Sequence, residues 1–87
     1  MELDPTEMTS VINRIKRARG QLDGVLRMLE EGRDCEDVVT QLAAVSRALD
    51  RAGFAIVASG MRQCLADGDG RGDLDVAKME KLFLALA

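Results

Sequence analysis

The chain has no histidine, tyrosine or tryptophan, and only two phenylalanines, two cysteines and one proline in 87 residues. Without an imidazole it can form no Ser-His or Cys-His nucleophilic pair and no histidine-ligated metal site. Conventional hydrolase chemistry is disfavoured with it, and the chain reads as a binding protein rather than an enzyme. Two cysteines are too few to build a disulfide scaffold, so a reducing, cytoplasmic setting is expected. No apolar run approaches the ~20 residues that span a bilayer, and the opening MELDPTEM lacks the basic-then-apolar order of a secretory signal. What is there is aliphatic: 47% of the residues are hydrophobic, almost all of them Ala, Val, Leu, Ile and Met. That is too apolar for disorder and predicts one small domain of helices packed through aliphatic seams.

The net charge of −3 says nothing for a nucleic-acid partner, but its distribution does. The first twelve residues carry Glu2, Asp4 and Glu7 and no cation, whereas Arg14, Lys16, Arg17 and Arg19 place four cations in six positions. Fields screened beyond ~8–10 Å in physiological salt act locally, so a phosphate backbone would respond to that block and not to the total.

Asp4-Pro5-Thr6-Glu7 reads as a helix start, with Asp4 as cap, Pro5 in the first turn and Glu7 completing a capping-box-like pair. Apolar steps of three and four (Met8, Val11, Ile12, Ile15, Ala18, Leu22, Val25, Leu26, Leu29) predict one long helix over about 5–31, stopped by Gly32. Asp34 caps a second long helix over about 35–66, whose seam is Cys35, Val38, Leu42, Val45, Leu49, Ala52 and Ile56. Gly68 to Gly72 break the chain, and Asp73 caps a short third helix over about 73–86. Residues 67–73 superficially resemble a calcium loop, but Arg71 and Lys78 stand where oxygen ligands are needed. Gly20 and Gly24, four apart, suggest a close helix approach or a joint. Two long helices and one short one leave half of a broad seam in water. An all-α antiparallel four-helix-bundle dimer, two long helices from each chain, is therefore expected.

Cys35 and Cys64 lie 29 residues apart on the second helix, ~43 Å if it is continuous, against the ~7 Å a disulfide tolerates. They cannot meet within a chain. If second helices pair antiparallel about the 49–50 midpoint, Cys35 of one chain faces Cys64 of the other, twice per dimer. Both thiols being inert core residues is the competing reading. Arg14 and Arg17 share a face of the first helix, with Gln21 a turn on, and Arg47 and Arg51 are four apart on the second. Such cations either reach phosphates across a groove or form an ordinary solvated face.

The block Arg14-Ile15-Lys16-Arg17-Ala18-Arg19-Gly20-Gln21-Leu22-Asp23-Gly24, then Cys35, then Asp37 to Val45, then Ala48-Leu49-Asp50 and Cys64, closely resembles the copper-sensitive operon repressor family. The resemblance spans roughly residues 8–66. It implies an all-helical transcriptional repressor whose dimers pair into tetramers and which binds operator DNA, with Arg14 and Arg51 at DNA-contact positions beside Lys16, Arg17 and Arg47. Copper-sensing members hold Cu(I) with a Cys and then a His and a Cys four apart; here the His position is Gly60. Glu80 falls where the family has an acid behind the ligands, and Asp34 where it has a tyrosine. A subgroup that keeps only the two cysteines, the persulfide-sensing repressors, is the one this chain is most similar to. The expected inducer is thus a persulfide or polysulfide, with no resident cofactor and no membrane partner. Cys35 is expected to attack and Cys64 to resolve, through inter-chain di-, tri- or tetrasulfide links that release DNA; the reverse assignment stays open. The alternative is Cu(I) held by the Cys35 and Cys64 pair.

Overall fold

In the computed structural model residues 2–66 and 76–87 are described, with residues 64–66 and 76 described by their backbone alone. A 3₁₀ turn, Pro5–Met8, leads into α1 (Thr9–Glu30); α2 (Cys35–Ala66) and α3 (Val76–Leu86) follow, and no strand occurs among the described residues. The expected Gly68–Gly72 break and the Asp73 cap lie outside the described residues.

The start of the first helix is tighter than its periodicity predicts. Asp4 Oδ1 accepts from the Thr6 N–H at 3.0 Å and the Thr6 hydroxyl at 2.8 Å, which holds its carboxyl below the usual carboxylate range, the hydroxyl bond contributing most. The proline ring presets φ for this first turn. The capping box, however, is not the one expected. Instead of bonding the Glu7 side chain, the Asp4 N–H donates to Gln63 Oε1 of α2 at 2.7 Å.

The end of α1 follows the sequence closely. Gly32 sits at φ +68°, the left-handed region that costs a Cβ-bearing residue. Its N–H donates to the Leu29 carbonyl at 3.2 Å and that of Arg33 to the Met28 carbonyl at 3.0 Å, a Schellman closure that satisfies two terminal carbonyls. Four residues, 31–34, separate α1 from α2, which turns back antiparallel to it. Beyond the turn Val25, Val38 and Val45 form the core, with Met28 packed against them.

The long apolar stripe of each helix divides in two. Val11, Ala18 and Val25 on α1, and Val38, Val45 and Ala52 on α2, step by sevens and are buried. Ile12, Ile15, Leu22, Leu26 and Leu29, with Leu42 and Leu49, form a parallel stripe that stays exposed. The molecule measures 54 × 26 × 13 Å. A helix with its side chains is itself ~10–12 Å across, so α1 and α2 make a single layer. One neighbour can cover only half of a wide stripe; the other half faces outward.

The third helix folds onto α2. The rings of Phe54 and Phe83 lie 4.9 Å apart, tilted by 49°, and Met79 is buried. Gly53 leaves room for Leu86, since a Cβ there would come within 2.6 Å of a Leu86 methyl. Gly20 and Gly24 have no such neighbour within the chain: a Cβ at Gly20 meets nothing within 4 Å, and one at Gly24 would touch only Gln41 Nε2 at 3.9 Å. Neither marks a close approach of α1 to α2. Gly20→Ala should therefore raise the denaturation midpoint, by up to ~1 kcal/mol of helix propensity. An unchanged or lower midpoint in urea would show that another chain packs against this position.

Candidate DNA interface and thiol site

Along one side of the α1–α2 layer the helices enclose a groove of about 350 Å³ lined by Arg14, Arg17, Ala18, Gln21, Ala48 and Arg51. Positions 14, 17, 18 and 21 lie on one face of α1 by their helical spacing, and 48 and 51 lie one turn apart on α2. Buried Ala18 and half-buried Ala48 form a small-residue floor, so the three guanidinium stems can stand over it. No carboxylate among the described residues takes up Arg14, Arg17 or Arg51. Three unpaired, exposed cations around one concavity suit an anion that offers several oxygens, as a phosphodiester strand does.

Three of the five expected cations are thus brought together. Lys16 and Arg47 are exposed but do not line the groove. Gln21 belongs with the arginines: its Oε1 is buried without a hydrogen-bond partner and is a lone acceptor among donors. Its spacing from Arg14 and Arg17 was the only sign of this in the sequence.

The thiols are placed differently. Cys35 is the first residue of α2 and is exposed and free. Cys64 lies in the last turn of α2, its side chain outside the described residues. Because α2 runs unbroken over 32 residues, the two thiols of one chain stand at opposite ends of a rod. Gly60, one turn before Cys64, is buried. Glu80 is exposed on α3. Among the described residues no group of three or more Cys, Asp or Glu could hold a metal within one chain.

The donor chemistry still fits one ion. Two thiolates are soft ligands of the kind that select Cu(I), and Cys35 and Cys64 are the residues that would hold it. That fit requires the thiols to come from two chains.

Among known proteins, the chain matches the metal-sensitive transcriptional repressor family over residues 7–87. It is 39% identical over 72 residues to the copper-sensing transcriptional repressor CsoR of Mycobacterium ulcerans, an alignment that covers 80% of this chain and 62% of that protein. The chain thus spans less than two thirds of that relative's length. It is 33% identical over 76 residues to the copper-sensing transcriptional repressor CsoR of Bacillus subtilis, covering 87% of this chain and 75% of the relative. Among solved structures the nickel-responsive transcriptional regulator InrS superposes with a TM-score of 0.71 at 28% identity, covering 100% of this chain and 98% of the other.

Proposed function

The chain belongs to the metal-sensitive transcriptional repressor family, whose members are regulators and not enzymes, and on that premise we propose that it binds operator DNA through Arg14, Arg17 and Arg51 and is released by chemistry at Cys35 and Cys64 of paired chains. The uncovered stripe of Ile12, Ile15, Leu22, Leu26, Leu29, Leu42 and Leu49 carries this reading. A one-layer chain with that much apolar surface associates, and antiparallel pairing of α2 covers the stripe while setting each Cys35 against a partner's Cys64. Further pairing into a tetramer would repeat the arginine groove along the duplex.

We assign Cu(I) as the inducer. Relatives matched over most of the chain are named as copper-sensing, and the two thiolates supply the soft donors that Cu(I) takes. They shift weight away from the sulfur reading that the two-cysteine pattern alone favours. Cys35 of one chain and Cys64 of another would hold the ion, which would supply a soft-donor link between the start of one α2 and the end of its partner. The chain's own part is to hold the two thiols at opposed helix ends and to change the relative setting of the helices that carry Arg14 and Arg51. A tenfold loss of operator affinity needs only ~1.4 kcal/mol between the two settings.

The absence of histidine, with Gly60 in place of an imidazole, favours a second reading in which the same pair answers to persulfides. Cys35 thiolate would take the terminal sulfur of a hydropersulfide and release the thiol. The Cys64 thiolate of the other chain would then attack the Cys35 sulfur and expel hydrosulfide, leaving one inter-chain disulfide.

The test is operator binding by reduced, Cu(I)-loaded and persulfide-treated protein under anaerobic conditions. Cu(I) binding at one ion per thiol pair should lower operator affinity at least about tenfold, and Cys35→Ser should abolish both the binding and the loss. If persulfide alone releases the DNA, with a covalent dimer seen by intact mass, the second reading replaces the first.

A further inference from the structure

Gln63 joins the last turns of α2 to the segment that leads into α1, at the end of the helical layer away from the Gly32 turn. Its Oε1 accepts from the Asp4 N–H at 2.7 Å, across 59 residues of sequence. Its Nε2 donates to Ser59 Oγ at 2.9 Å, one turn earlier on α2, and to Met8 Sδ at 3.6 Å, across 55 residues. A carboxamide has one oxygen and two N–H donors, so all three functions of this side chain are committed at once. Ser59 and Met8 are both buried, at 4% and 6% exposure. The clamp was not forced by local need, because Glu7 stands three residues after Asp4, where a capping box would serve the same N–H. The structure uses α2 instead.

The position of this clamp matters more than its strength. On one side is Met8, the residue from which α1 departs; Arg14 follows six residues later, ~9 Å along the axis. On the other side, Gln63 is bonded in sequence directly to Cys64. Any inducer that turns or draws the last turn of α2 moves the Gln63 backbone with it. A single amide cannot then keep Ser59, Met8 and Asp4 together.

We propose that Gln63 is the positioning residue that couples the Cys64 end of α2 to the setting of the arginine-bearing helix α1. With Gln63 on Asp4 and Met8, α1 is held in its operator-binding setting; inducer at Cys64 withdraws the amide and frees the N-terminal turn. The inference rests on the thiol-sensing reading above and adds the route by which that site reaches the DNA groove.

Two variants probe the clamp from opposite ends. Gln63→Met keeps the length of the side chain and removes the amide. Asp4→Pro removes the donating N–H, and its ring suits the observed φ of −79°; Asp4→Ala, which loses the carboxylate but keeps the N–H, is its control. Operator affinity is measured with and without Cu(I), and Cu(I) stoichiometry by chelator competition. Backbone amide exchange is followed over residues 3–9. In the unsubstituted protein Cu(I) should speed exchange in this stretch. Gln63→Met and Asp4→Pro should bind Cu(I) within about twofold of the original, yet exchange fast without it. Their ratio of copper-free to copper-loaded affinity should fall about tenfold, with Asp4→Ala near the original. Lower thermal stability with an unchanged affinity ratio would reduce Gln63 to a structural tie and overturn the proposal, while leaving the sensing function standing. An unsubstituted protein whose operator affinity ignores both Cu(I) and persulfide would remove the sensing function and the coupling with it.

Discussion

Replacing Arg14 and Arg51 together by alanine is expected to weaken operator binding by about 100-fold or more without altering the fold. Both side chains are exposed and bound to no carboxylate among the described residues, so their loss leaves no orphaned partner and no cavity. What would disappear is the proposed contact with phosphate, and hydrogen bonds to charged groups contribute ~1.5–3 kcal/mol each. Removing phosphate contacts also lowers the slope of log affinity against log salt by about one per contact. A salt series on the double variant should therefore flatten as well as drop, and it should do so on unrelated DNA as much as on the operator. Arg47→Ala, outside the groove lining, is the internal control and should cost less. A double variant that retards operator DNA as well as the original, with the same salt slope, would leave the groove without a role.

Leu49→Asp is expected to break the assembly while leaving the single chain helical. Leu49 is 42% exposed in the isolated chain, so a carboxylate there is tolerated by the chain's own fold. It stands, however, beside the 49–50 midpoint about which antiparallel α2 helices would pair, and symmetry brings each new carboxylate close to its own copy. Each site loses the ~1.5–3 kcal/mol of a buried leucine and gains a charge that must be desolvated near a like charge. Summed over both chains, the dissociation constant should rise at least about 10⁴-fold, equivalent to ~5.5 kcal/mol. Sedimentation equilibrium should show the 9.5 kDa chain, and release of DNA by Cu(I) should vanish because each two-thiol site needs two chains. Retention of the oligomer by this variant would place the pairing axis elsewhere and separate the two thiols.

The outcome at Gln63 and that at Cys35 bear on different links. Under the proposed function Cys35→Ser would remove the receptor, whereas Gln63→Met would leave the receptor and remove what it pulls on. Reciprocity between inducer and DNA binding is a thermodynamic requirement of such coupling, so operator DNA should weaken Cu(I) binding by the same factor in the unsubstituted protein.

The sequence by itself determined the three helices, the stop at Gly32 and the start of α2 at Cys35, because helix periodicity, a left-handed glycine and capping residues act over a few positions. It also determined that Cys35 and Cys64 cannot meet within a chain, since a continuous helix of known rise fixes their separation. Tertiary structure alone decided which half of each apolar stripe is covered: Val11, Ala18 and Val25 go inward and Ile15, Leu22 and Leu29 stay out, though both sets share one period of seven. Spacing along a helix specifies a face but not the neighbour that takes it. The same holds for the arginines, where Arg17 joins Arg14 and Arg51 and Arg47 does not, and for Asp4, whose N–H passes over nearby Glu7 for Gln63. Those choices depend on how two antiparallel helices align along the whole length of α1, and no short stretch of residues encodes that alignment.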